Sequence, residues 1–99
     1  MNPRVFFHAR GLSNYLRIVR KYRAIRHSLG ERFIKCFEER ANHFAQWPDA
    51  APIAVKHYRY FRLRRFPYKV FYQKAADGII IMTICHTKRD PKLWKSVLR

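Results

Sequence analysis

Hydrophobic positions along the chain divide it into segments with helical spacing and segments with strand spacing. Residues 5–7 are all apolar, which predicts a short opening strand. From Leu12 to Leu29, apolar residues recur every three or four positions while arginine and lysine fill the opposite face. This spacing predicts a basic amphipathic helix.

A second helix is expected to follow almost at once. Ser28 and Glu31 have the spacing of a capping box, so this helix should begin near Gly30. Its apolar stripe recurs at helical spacing through Phe33, Phe37, Ala41 and Phe44. The helix should end at Trp47-Pro48, because proline disfavours helical geometry in the residue before it.

The second half of the chain has strand spacing. Residues 49–52 are predicted to form a loop, and residues 58–63 alternate as a half-buried strand does. After a turn at 64–67, residues 68–74 form an aromatic strand, and Asp77-Gly78 signals a hairpin. Residues 79–85 are apolar at almost every position, which is typical of a strand near the middle of a sheet.

Asp90-Pro91 can begin a short closing helix over 92–98. The predicted order is therefore a strand, a two-helix hairpin, a three-stranded antiparallel meander and a short C-terminal helix. Two helices on one face of a small sheet make an α+β fold. Residues 1–99 are long enough for one such domain.

Charge is the most unusual feature of the composition. The chain has 22 lysine and arginine residues against 6 aspartate and glutamate residues, a formal charge of +16. Such an excess attracts polyanions, so nucleic acid, an anionic membrane face or an acidic protein is an expected partner. Hydrophobic residues make up 48% of the chain, which is too many for a disordered basic tail.

Several familiar chemistries are not indicated. Cys36 and Cys85 lie in apolar stretches, which favours buried thiols and a reducing, cytoplasmic compartment over a disulfide framework. The cysteines and histidines lack zinc-site spacing, and the three glycines are scattered, so we expect no metal and no cofactor. The longest apolar run, 79–85, is far shorter than the roughly 20 residues of a membrane span, so we expect no membrane segment.

A set of motifs, taken in this order of elements, resembles the RelE/ParE superfamily of bacterial type II toxins. The motifs are Leu29-Gly30-x-x-Phe33, Trp47-Pro48, Arg59, the stretch Phe66-Pro67-Tyr68-Lys69-Val70-Phe71-Tyr72, and the tail His86-x-x-Arg89-Asp90-Pro91-x-x-Trp94. Nearly the whole chain takes part in the resemblance. The last two stretches are similar to one ParE-like branch of the superfamily.

The resemblance implies a growth-inhibiting toxin of a plasmid-stabilisation system. A cognate acidic antitoxin would neutralise it, in a complex that could be a heterotetramer or larger. ParE-like members poison DNA gyrase, whereas RelE-like members cut mRNA on the ribosome without a metal ion. We favour the gyrase target, because Tyr60 and Trp94 depart from the nuclease pattern. The alternatives are the ribosome-dependent endoribonuclease and an inactive relic that acts as a binding module.

If the chain were a nuclease, the resemblance implies a set of basic side chains that would hold the phosphate. These are Arg62, Lys69, and either Lys88 or Arg89. His86 or His57 could supply acid–base chemistry, because histidine titrates closest to neutrality. His86 could instead simply cap the tail through a hydrogen bond.

Two further groups of residues are candidates for binding and for structure. Target or nucleic-acid binding is assigned to Arg17, Arg20, Lys21, Arg64, Arg65 and Trp94. A structural role in the family motifs is assigned to Arg59, Phe66, Pro67, Tyr72, Asp90 and Pro91. Arg59 should need a buried acceptor, because it shares a strand face with Phe61 and Leu63.

Overall fold

The computed structural model describes residues 3–89 and 91–98, in which two helices pack on one face of a mixed sheet. In chain order the elements are β1 (Arg4–Phe7), α1 (Ala9–Ile25), α2 (His27–Gln46), β2 (Ile53–Val55), β3 (Tyr58–Arg62), β4 (Tyr68–Ala75), β5 (Gly78–His86) and α3 (Pro91–Val97). The α+β class and the two-helix hairpin are as the sequence predicted. Asp90, which was assigned to the start of the closing helix, lies outside the described residues.

The sheet has the strand order β1-β5-β4-β3-β2. The central strands pair antiparallel, while β1 pairs parallel to β5. A parallel pair needs a long crossover, and the α1–α2 hairpin supplies it. The sheet is mixed because β5, the last strand of the antiparallel meander, pairs parallel with β1 at the edge of the sheet.

Beyond the end of β1, a side chain of helix α1 supplies hydrogen bonds to the edge of β5. Strand β1 pairs only with the residues from Gly78 to Ile81. Farther along β5, the Asn14 side-chain oxygen accepts a hydrogen bond from the Ile84 N–H at 3.1 Å and from the Thr83 hydroxyl at 2.9 Å. Because a buried N–H without a partner is costly, Asn14 stabilises an edge that no strand covers.

The main core lies between the helices and the sheet and is built largely from aromatic rings. Phe33 of α2 is 0% exposed and stands at its centre. Its ring contacts those of Tyr15 and Tyr22 from α1, of Phe66 from the turn before β4 and of Tyr68 from β4, at centroid distances of 5.3–6.0 Å. Edge-on and tilted pairs of this kind add to the free energy of burial.

A smaller cluster covers the opposite face of the sheet. Tyr58, Phe71 and Cys85 are buried there against Leu98, which follows α3. The Trp94 ring of α3 stacks on Phe71 at 4.6 Å. Strand β5 is therefore covered on both faces, as its almost continuous apolar sequence predicted.

Two predicted helix boundaries are wrong. The first helix ends at Ile25, so Leu29 belongs to the second helix, which begins at His27 rather than near Gly30. The Ser28 hydroxyl does not cap it and instead accepts a hydrogen bond from Arg26 Nε at 3.1 Å. Glu31 is drawn away by Arg23, whose guanidinium lies 2.8 Å from its carboxylate.

Strand β2 was also missed, because residues 53–55 are too few to show a period. It pairs with β3 and extends the sheet to five strands. The predicted end of the second helix at Trp47, the two faces of residues 58–63 and the closing helix are confirmed.

Arg59 and Tyr72 fix the loop between α2 and β2. Arg59 Nη1 donates to the Ala51 carbonyl at 2.7 Å and to the Asp49 carbonyl at 3.3 Å. The fully buried Tyr72 donates its hydroxyl to the Pro48 carbonyl at 2.6 Å. Both side chains therefore stabilise this loop. The Asp49 and Ala51 carbonyl oxygens are the acceptors that Arg59 was expected to need.

Alkaline pH is expected to destabilise the protein through the phenols of the buried Tyr72 and the half-buried Tyr22. Burial raises the pKa of Tyr72 to about 12, and burial together with a hydrogen bond to Tyr68 raises that of Tyr22 to about 12. The folded chain therefore keeps these protons where the unfolded chain loses them, from about pH 10 upward. Their contribution to stability is complete below that pH and is lost as the pH rises through about 12.

Urea unfolding at pH 8, 10 and 11 measures this loss. The free energy of unfolding of Tyr72→Phe should decrease less between pH 8 and pH 11 than that of the wild type, because the variant lacks one of these two phenols. At pH 8 the same variant should lose about 1–3 kcal/mol, since the Pro48 carbonyl keeps no partner. A decrease with pH as steep as that of the wild type would contradict the assignment to Tyr72.

Candidate functional site

Arg62 and Lys69 form a pair of cations at the end of the sheet. They are direct partners across β3 and β4, so their side chains leave the same face. Lys69 Nζ lies over the Tyr60 ring at 5.4 Å from its centroid. Like charges directly opposite one another are unfavourable in a sheet, which makes this pair a possible anion contact.

His86 does not join that pair. Its cross-strand partner is Tyr68, whose ring packs in the core under the helices, while Lys69 is paired with Cys85 on the α3 face. Successive residues of a strand point to opposite faces, so the sheet separates the imidazole from Lys69. His86 Nδ1 accepts a hydrogen bond from the Lys88 N–H at 3.1 Å, which is the capping role considered for it.

The remaining residues of the nuclease set lie in the turn after β5, and Trp94, which departs from the nuclease pattern, lies in α3. Lys88 and Arg89 are exposed, and the Arg89 N–H donates to the His86 carbonyl at 3.0 Å. Trp94 packs on Phe71 and leaves its ring only partly accessible. The structure thus brings Arg62 and Lys69 together and leaves His86 apart from them.

The predicted binding residues of α1 lie on its solvent face. Arg17, Arg20 and Lys21 are all exposed. Next to them, Leu12 and Leu16 are 42% and 41% exposed and stand one helical turn apart. Helix α1 therefore presents an apolar strip beside a row of cations.

A second basic surface was only half found from the sequence. A groove of about 770 Å³ runs between α2 and the turn that joins β3 to β4. We call it the α2 groove, and its basic lining consists of Arg32, Lys35, Arg40, His43, Arg64 and Arg65. The sequence pattern indicates only Arg64 and Arg65 of these residues as candidates for binding. The α2 members recur along one helical face, a spacing that could have identified them.

Arg40 joins the two walls of the α2 groove. Its Nε donates to the Arg62 carbonyl at 3.1 Å. Its guanidinium carbon lies 5.1 Å from the Phe44 ring centroid and 5.8 Å from that of Phe61. These contacts hold a positive charge at a fixed place in the groove.

Little of the positive charge is compensated within the part of the chain that the structure describes. The ion pairs there use only two carboxylates, Glu31 and Asp49. A hydrogen bond from Lys74, together with the charges of Lys74 and Arg59, holds the pKa of Asp49 below its usual range. Both carboxylates lie outside the α2 groove, whose lining holds one carboxylate, that of Glu39, among five lysine and arginine side chains.

The described residues contain neither a metal site nor a membrane-spanning helix. Across residues 3–89 and 91–98, histidine, cysteine and carboxylate side chains form no group that could hold a metal ion. Within those ranges, no helix is both long and apolar enough to cross a bilayer. Cys36 and Cys85 are free thiols, half-buried and buried respectively.

Comparison with known proteins identifies relatives of this arrangement. Residues 5–91 match the family model described as the ParE toxin of the type II toxin–antitoxin system parDE. A solved structure titled as the chromosomal ParDE toxin–antitoxin system from P. aeruginosa is similar, with a TM-score of 0.72 and 14% identity. That match covers 88% of this chain and 98% of the other. No curated protein sequence matches significantly.

Proposed function

We infer, from the premise that this chain belongs to the ParE toxin family of type II toxin–antitoxin systems, that it arrests growth by binding DNA gyrase. The inhibition is a matter of protein binding and needs no bond to be broken in RNA. Membership of the ParE family, rather than of the RNA-cleaving branch, supports this proposal. The structure adds one observation that favours it over RNA cleavage.

That observation is the separation of the nuclease residues by the sheet. RNA cleavage needs a proton acceptor beside the cations that hold the phosphate. His86 lies on the helix side, whereas Arg62 and Lys69 lie on the α3 side. His57, the other candidate, lies in the turn before β3, at the opposite end of that strand from Arg62. Trp94, which takes the place of a titratable tyrosine, stacks on Phe71, and its indole N–H can donate a hydrogen bond but does not act as an acid or a base.

A ribosome-dependent endoribonuclease is the second candidate. It is favoured by the like-charged pair of Arg62 and Lys69, which would be stabilised by a phosphate between the two side chains. In that case the pair would hold the RNA, and the exposed Arg89 or Lys88 would stabilise the charge that develops during attack.

The partner that neutralises the toxin is an acidic antitoxin. The strip of Leu12 and Leu16 on α1 fits the apolar face of a partner helix, and Arg17 and Arg20 fit acidic residues that flank it. An apolar strip beside cations suits a peptide better than a nucleic acid, because a peptide can bury the leucines.

Induction of the chain without an antitoxin in a bacterial host tests the target. We expect growth arrest with DNA breaks or altered plasmid supercoiling, while the 5′ ends of mRNA stay unchanged. Arg62→Gln with Lys69→Gln should keep that toxicity, because inhibition by binding a protein needs no pair of cations to hold an RNA phosphate. A chain with an early stop codon is the control for the burden of expression.

New mRNA ends within translated frames, lost in the Arg62→Gln, Lys69→Gln variant, would instead establish the nuclease. Catalytic cations of this kind are expected to contribute at least about a hundredfold in rate, so the variant should then be harmless. If the induced chain is folded and growth is unimpaired, the remaining hypothesis is an inactive relic that only binds its partner.

A further inference from the structure

We propose that the α2 groove binds the phosphate backbone of duplex DNA, independently of base sequence. The groove sets five lysine and arginine side chains against one carboxylate, that of Glu39. Arg32, Lys35, Arg64 and Arg65 form no ion pair with any described residue. Cations gathered in a concave surface focus the field, so a polyanion is the ligand that they select.

The chemistry of the lining favours phosphate over an acidic peptide. A bound helix or strand gains most of its affinity from buried apolar side chains. The aromatic ring in the lining, that of Phe66, is already buried against Tyr22 and Phe33, which leaves only the half-buried Leu29 and Cys36 as apolar lining. Arginine forks match phosphate oxygens in bidentate geometry, and four of the five cations are arginines.

The shape of the groove favours a duplex over a single strand. Along α2, Arg32 and His43 are eleven residues apart, or about 16 Å at 1.5 Å per residue. One strand of B-form DNA carries a phosphate every 3.4 Å of its axis and winds around that axis, so a wall of this length can meet several phosphates of the backbone. Single strands are held by bases stacked on exposed aromatic side chains, whereas the phenyl ring in the lining is buried.

Arg40 is the fixed point of the site. Its Nε is held by the Arg62 carbonyl, and its flat guanidinium lies beside the Phe44 and Phe61 rings. This leaves its two terminal nitrogens to reach a phosphate with little loss of side-chain freedom. The exposed cations around it add charge without needing a fixed position.

The test compares two triple variants that lose the same charge. One removes cations from both walls of the groove, through Arg32→Gln, Arg64→Gln and Arg65→Gln. The other removes three cations from α1, through Arg17→Gln, Arg20→Gln and Lys21→Gln. Binding of the full-length chain to a labelled random-sequence duplex is followed by fluorescence anisotropy over a range of salt concentrations.

The groove variant should bind at least about tenfold more weakly near 0.1 M salt, and the α1 variant less than about threefold more weakly. The slope of log K against log salt should decrease by about 2 to 3 in the groove variant, since each phosphate contact contributes about 0.9. A loss no larger than that of the α1 variant would overturn the proposal. Poly-glutamate bound through the groove as tightly as the duplex would also overturn it and indicate an acidic protein ligand.

A second measurement needs no substitution. Cys36 lies in the groove and is half-buried, whereas Cys85 is buried in the other cluster. Saturating duplex should slow the alkylation of Cys36 by a maleimide several-fold and leave that of Cys85 unchanged. If Cys36 were alkylated at the same rate with and without DNA, the duplex would not bind in the α2 groove. Both measurements use the isolated chain, so neither depends on how the toxin arrests growth.

Discussion

Phe33→Ala is expected to unfold much of the protein at 37 °C and to abolish its toxicity. The Phe33 ring is 0% exposed and is surrounded by other aromatic rings from α1, α2 and the sheet. Truncation of a buried phenylalanine costs about 3–5 kcal/mol, because burial is lost and a cavity is left behind. Domains of this size are stable by only about 5–15 kcal/mol, and the +16 charge adds repulsion.

Denaturation followed by circular dichroism measures the effect. Phe6→Ala is the matched control, because Phe6 is 38% exposed on the edge strand and leaves no cavity when truncated. It should lose less than half as much stability and keep the growth arrest. If the two variants unfolded at the same denaturant concentration, the helix–sheet interface would not be the main source of stability.

Gly78→Ala is expected to separate β1 from the sheet. A Cβ at this position would lie 1.8 Å from the Arg4 carbonyl oxygen and 2.7 Å from the Arg4 nitrogen. These are backbone atoms of the first pair in the β1–β5 ladder, so relief requires the whole strand to move. Overpacking costs about 1–3 kcal/mol, and more where the backbone itself must shift.

Amide hydrogen exchange locates this effect. The amides of β1 should lose protection by at least about tenfold, while those paired between β3 and β4 stay protected. Asp77→Ala, at the exposed neighbouring position, should change neither set. Unchanged protection of β1 in Gly78→Ala would show that the strand can adapt to an added methyl group.

The local elements could be predicted from the sequence because their signals are local. The period of apolar residues in α1 and α2, the alternation along β3 and the nearly unbroken apolar run of β5 each depend on which face is buried. The family motifs, taken in their order along the chain, indicated the toxin superfamily, and the match of residues 5–91 to the ParE toxin family confirmed it. Arg59 was assigned a structural role because a charge on a buried strand face needs an acceptor.

The errors arose where two local signals competed. Ser28 and Glu31 have capping-box spacing, but Arg23 on the neighbouring helix takes the Glu31 carboxylate at 2.8 Å. A contact across the helical hairpin decides that competition, and the spacing of residues along the sequence does not reveal which side chains meet there. Ile25 fits the apolar period of α1, yet it is 66% exposed because the helix ends there.

By itself, then, the sequence determined the class of fold, the family and the excess of positive charge. Tertiary structure alone decided which cations meet. The pairing of β3 with β4 put Arg62 beside Lys69, and strand alternation put His86 on the other side of the sheet. Packing of α2 against the β3–β4 turn joined Arg32 to Arg64 and Arg65, more than thirty residues away, in one groove. Charge is a property of composition, whereas a binding site depends on distances that only the folded chain fixes.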